Sequence, residues 1–209
     1  MLYGEFIMLK YITEYINDNF KSIVVILSCI IIGIIAGIFV YQFLSQGTKT
    51  ELVNTLRTTL DYSKNEGFEG INVIKNGMVS NAILIIVIYL SAITLIAPSL
   101  VCIINIFKGF AIGIYIPTLF QVFGFGNGIL SLLLLVVLPN IIYIPAFIYL
   151  SINSLKFHYM ITDKDKQGSK IGLIVKEGYK LILGFSVIAL SVILEQFLSI
   201  GVINIYKNM

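Results

Sequence analysis

Two polar side chains sit where their neighbours give no reason for them. Glu195 is the fifteenth residue of an apolar run from Leu181 to Ile203, and Asn140 lies between Pro139 and Pro145 in "LPNIIYIP", inside another apolar run from Ile129 to Ile152. An ionised carboxylate deep in hydrocarbon costs at least ~2.5 kcal/mol on insertion scales, so it must pair, face water or hold a proton. Glu195 is the one acid expected inside an apolar run, with no Lys or Arg expected inside one to neutralise it. Gln42, Asn81, Gln121 and Gln196 fall at comparable depth, which points to a polar pocket. That pocket is either a hydrogen-bonded clamp between helices or a proton or ligand site.

Asn140 raises a different question. A proline leaves the carbonyl four residues earlier without its donor, and away from water every backbone group must be satisfied internally. Pro139 and Pro145 therefore predict a kinked helix buried among others, with Asn140 donating to a freed carbonyl or to a neighbouring helix; Pro98 and Pro117 mark two further kinks. A structural kink sealed by an amide is the plainer reading, and a place on a substrate pathway the sharper one.

These residues are positioned by a chain of 209 residues of which 58% are hydrophobic and 12% charged, with a mean hydropathy of +0.97. That balance excludes an ordinary soluble domain. Apolar runs cover 22–44, 81–104, 109–123, 129–152 and 181–203, and about 20 apolar residues span a hydrocarbon core. The expected fold class is all-α: a polytopic membrane helix bundle, one integral domain over 1–209, with about five transmembrane helices and kinked central ones. The first run is too long for the core of a secretory signal and reads as a retained anchor.

Lysines set the orientation. The segment 156–180 carries six Lys against three acids, whereas 45–80 carries four basic and four acidic residues. The positive-inside rule makes 156–180 a cytoplasmic loop and 45–80 an extracytoplasmic one. The N-terminus and a turn at Lys108 then lie inside and the C-terminus outside. In the outer loop Leu52, Val53, Leu56 and Leu60 recur at helical spacing, giving an amphipathic helix that lies on the lipid surface, caps the bundle or docks a partner.

Gly33 with Gly37, and Gly109 with Gly113, each form a G-x-x-x-G pair that lets two helices approach closely. Packing within one chain is the expectation, with a homo-oligomer the alternative. "GFGNG" at 124–128 is a tight turn and not a phosphate loop, since no Lys-Ser/Thr follows. Cys29 and Cys102 lack metal-ligand spacing and read as apolar filler. With one histidine, His158, at a boundary and no triad or H-E-x-x-H, the chain offers no catalytic constellation, no metal site and no cofactor site. Nothing suggests nucleic acid.

The order of "FKGFAIGIYI" (107–116), "LPNIIYIPAFIYL" (138–150) and "VILEQFLS" (192–199), behind an N-terminal anchor and a polar loop, resembles the stage II sporulation protein M family over nearly the whole chain. Broader relatives carry a His-Gly and then a Glu after the proline; Asn140, Ile141 and Ile144 stand there here, which fits the sporulation branch. The resemblance implies a non-enzymatic membrane component of the machine that remodels peptidoglycan while the mother cell engulfs the forespore. It further implies a location in the septal and engulfing membranes and, as partners, stage II sporulation proteins D and P, which cleave peptidoglycan. The rival reading is a small transporter or permease subunit, against which no inverted repeat divides the chain.

Reporters fused after Lys64 should read extracytoplasmic and those after Lys166 cytoplasmic; the reverse pattern would overturn the orientation.

Overall fold

The computed structural model describes residues 2–65, 70–94 and 96–162, and residues 179, 182, 184, 186–195 and 198 of the C-terminal part; side chains are described outside 1–9, 11–12 and 59–78. Every element is helical: α1 (Leu2–Phe43), α2 (Gln46–Asn65), α3 (Gly70–Ser91), α4 (Ala97–Leu132), a π-turn (Leu133–Val137) and α5 (Leu138–Thr162). A further apolar helix, α6, covers Ser186–Glu195. Two stretches are long and apolar enough to cross a membrane, Thr13–Phe43 and Ala97–Thr162.

The second of these stretches is a hairpin. Leu119 and Leu135 would lie about 24 Å apart on one straight helix, yet Leu119, Val122 and Phe123 share a core with Leu135 and Val136. The reversal is at Gly124, the one non-helical residue within α4 (φ 70°, ψ −178°), a backbone state open to a residue without Cβ. Further from the turn, Asn105 Nδ2 on the ascending arm donates to Ser151 Oγ on the descending one at 3.0 Å.

Side-chain pairings give the other directions. Gly33 faces Gly109 and Gly37 faces Gly113, so α1 and α4 run parallel. Asn81 meets Lys108, while Ile88 packs in one cluster with Ile104, so α3 descends beside the ascending α4. Ser191 bonds to Pro139 and Gly184 lies against Leu150, so α6 ascends against α5. The succession α1, α3, α4, α5, α6 alternates up and down, and α4 touches α1, α2, α3 and α5.

Close approach of α1 to α4 depends on the four glycines. A Cβ on Gly109 would collide with the Ile30 carbonyl oxygen, one on Gly113 with that of Ile34, one on Gly33 with that of Ile106 and one on Gly37 with that of Phe110. The two G-x-x-x-G pairs thus occupy each other inside one chain, leaving neither for a second copy. Cys29 on α1 and Cys102 on α4 are free thiols.

Three expectations about element boundaries change. The apolar run 81–104 is two helices joined by a tight turn, in which the N–H groups of Ala92, Ile93 and Thr94 bond to Tyr89, Leu90 and Ser91. Pro98 accordingly kinks nothing. It stands in the first turn of α4, where its missing N–H has no helical partner to lose. Lys108, expected at a cytoplasmic turn, lies well inside α4, because hydropathy alone reads any lysine as a boundary.

The loop 45–80 is also largely helical. Ser45 Oγ accepts from Thr48 N–H at 3.2 Å and so caps the start of α2. Lys49 Nζ donates back to the Gln42 carbonyl at 2.9 Å, satisfying the end of α1. Val53 and Leu56 are buried against Leu119, Val122, Phe123, Leu135 and Val136, and Leu52 is half-buried. The apolar stripe of α2 therefore caps the hairpin end and is not an exposed docking face; the side chain of Leu60 lies outside the described residues.

Gly109→Ala should lower the thermal midpoint of the detergent-purified protein by several degrees, since overpacking costs about 1–3 kcal/mol. Gly126→Ala, with open space around it, should leave the midpoint unchanged.

Candidate functional site

Pro139 shapes the local backbone. It offers no N–H to the carbonyl of the preceding turn, and the helix widens into the π-turn Leu133–Val137, with Leu138 N–H reaching the Leu133 carbonyl. Asn140 Nδ2 then donates to the Val136 carbonyl at 2.7 Å, and Ser191 Oγ of α6 donates to the Pro139 carbonyl at 3.0 Å. Both bonds brace the backbone beside the break. Pro139 is buried, whereas Pro145, expected to be buried with it, is exposed on the outer face of α5, and Pro117 is half-buried within α4.

Beside this break lies a cavity of about 320 Å³ lined by Asn81, Lys108, Tyr115, Asn140, Tyr143, Ser191 and Glu195, with Ile112, Leu135, Val136 and Val192 supplying apolar walls. The ammonium of Lys108 lies 4.1 Å from the centroid of the Tyr143 ring and donates to Asn81 Oδ1 over a long 3.4 Å. Cation–π contact is worth about 2 kcal/mol when desolvated. Tyr143 is itself stacked on Phe147, and its buried hydroxyl has no hydrogen-bond partner among the described residues. Glu195 enters from α6 and lines the same cavity as Lys108.

Glu195 is therefore not without a nearby cation. Lys108 supplies one from within α4, against the expectation that no Lys or Arg would lie inside a span. Of the amides expected at comparable depth, Asn81 reaches the cavity; Gln42 lies exposed at the corner of α1 and α2, Gln121 is exposed on α4, and Gln196 lies outside the described residues. Among the described residues no group of three metal-ligating side chains occurs.

A second polar cluster escaped the sequence reading. Ser151, Ser154 and His158 recur at i, i+3 and i+7 on one face of α5, all buried. Ser154 Oγ donates to the Ile88 carbonyl at 2.7 Å, and His158 Nδ1 meets the Ala92 carbonyl at 2.9 Å. Both are among the carbonyls left over at the end of α3. The spacing was legible, but its target was not, because the turn at Ala92 was hidden in an unbroken apolar run.

Glu195→Leu should destabilise the protein by about 3 kcal/mol by leaving the Lys108 charge uncompensated, and adding Lys108→Met should recover part of that loss. Denaturation of both variants checks this; additive losses would mean that the two charges are uncoupled.

The model of the stage II sporulation protein M family matches residues 25–200, which takes in the glycine pairs, the π-turn and every residue named as lining the cavity. No curated protein and no solved structure matches the chain. With so much of its length matched, the chain belongs to the stage II sporulation protein M family, and its role is in sporulation.

Proposed function

We propose that the protein is the membrane scaffold of the peptidoglycan-remodelling complex that drives engulfment, holding peptidoglycan-cleaving partners at the septal membrane without cleaving the polymer itself. The family match over residues 25–200 carries this reading. In it α1, α3, α4, α5 and α6 cross the bilayer, with the N-terminus cytoplasmic and the C-terminus extracytoplasmic. The outer surface of the bundle supports immersion in lipid: Phe39, Ile83, Ile86, Ile103, Ile141 and Leu190 all expose half or more of their area, an apolar coverage that water would not tolerate. Moving Lys108 from the cytoplasmic side leaves the lysine bias intact, because the charge of 156–180 carries it.

The partners in this reading are stage II sporulation proteins D and P. The cavity with Lys108 and Glu195 favours one second reading, a small transporter or permease subunit, because charged groups within such bundles mark substrate pathways. Affinity purification of the tagged chain from sporulating cells separates the two. Recovery of the two peptidoglycan-cleaving proteins is the expected result; a chain recovered without them, in cells where both are present, contradicts the scaffold.

A further inference from the structure

The cavity holds a cation and a carboxylate that do not close on each other. The ammonium of Lys108 is fixed between Asn81 on α3 and the ring of Tyr143 on α5, and Glu195 projects from a different helix, α6. Among the described residues no direct ion pair joins them, although both line one cavity. Two charges taken out of water regain the loss only through contact and further hydrogen bonds. A pair kept purely for stability would be drawn together. Here Lys108 is anchored on Asn81 and Tyr143, and both charged side chains line one open space.

That space, about 320 Å³, lies at the lower end of the range for small-molecule sites, which combine apolar walls with a few convergent polar groups. Leu135, Val136 and Val192 provide such walls, and Asn81, Asn140 and Ser191 line the space beside the two charges. A simple anion would be attracted by Lys108 and repelled by Glu195, and a simple cation would meet the reverse. A molecule carrying both charges satisfies the two walls at once. We propose that this cavity binds a small zwitterion of amino-acid size, its carboxylate on Lys108, its ammonium on Glu195 and a short apolar side chain against Leu135, Val136 and Val192.

This inference goes beyond the scaffold reading and does not depend on it. The test uses the full-length protein in detergent, its thermal midpoint followed with L-alanine or L-valine at up to 10 mM, and with propionate or ethylamine, which carry one charge each. A ligand that binds the folded state alone raises the midpoint by mass action. The expected result is a rise of about 3 °C at saturation with at least one of the two amino acids and none with the single-charge probes. The expected rise disappears in Lys108→Met/Glu195→Leu, whose cavity is neutral. No rise with either amino acid, an equal rise with propionate or ethylamine, or a rise kept in the folded double variant would each overturn the proposal. Should the double variant fail to fold, the comparison of probes on the unaltered protein decides alone.

Discussion

The close approach of α1 to α4 is the constraint on which the arrangement rests. Each of the four glycines at that contact faces a backbone carbonyl of the opposite helix, so a single methyl group would force the pair apart. Helices that already sit among apolar neighbours gain little from hydrophobic burial, and close backbone approach is how they gain dispersion energy instead. The contact also fixes what lies on the rest of α4. Gly109 and Gly113 commit one face to α1, and Lys108 and Tyr115 project into the cavity bounded by α3, α5 and α6. Rotating α4 to relieve the glycines would carry Lys108 out of the cavity.

The buried polar groups are arranged around that fixed helix. Gly109 packs level with Ile30, about midway along the apolar run of α1, so the adjacent Lys108 is as far from the ends of the run as a residue can be. A lysine at that depth requires a partner surface, and the ring of Tyr143 with the amide of Asn81 supplies one. Pro139 and the π-turn belong to the same arrangement. They shift the register of α5 where its wall meets the cavity, and Asn140 and Ser191 bond the Val136 and Pro139 carbonyls beside the break. The break is tolerated because protein surrounds it.

What the sequence made legible follows from what each residue type signals locally. Composition established the helical class, and G-x-x-x-G gave close packing because its requirement is the absence of an atom. Gly124 stood out within "GFGNG", and Asn140 next to Pro139 pointed to an amide bonded to nearby backbone, which Asn140 Nδ2 makes to the Val136 carbonyl beside the break. What hydropathy could not show was the turn at Ala92, Ile93 and Thr94, where every residue is small or apolar. That omission displaced Lys108 to a loop, and the displacement left Glu195 without the cation that shares its cavity. The lesson is specific: a lysine between two apolar runs marks either a boundary or a buried charge, and only a partner contributed by another helix distinguishes them.

The position of α2 constrains how the protein meets anything else. Its apolar stripe is committed to the hairpin end through Val53 and Leu56, so the side left facing outward carries Glu51, Asn54, Thr55, Arg57 and Thr58, all exposed. A partner approaching this helix meets a polar surface of mixed charge. Contacts of that kind contribute orientation and rate of encounter more than affinity. Strong attachment then has to come from elsewhere on the chain, and the large surface that remains is the exposed apolar flank of α1, α3 and α5. For a protein whose proposed task is to hold other membrane-bound proteins in place, that division fits: a polar cap suited to orienting a partner, and exposed apolar helix faces suited to holding one.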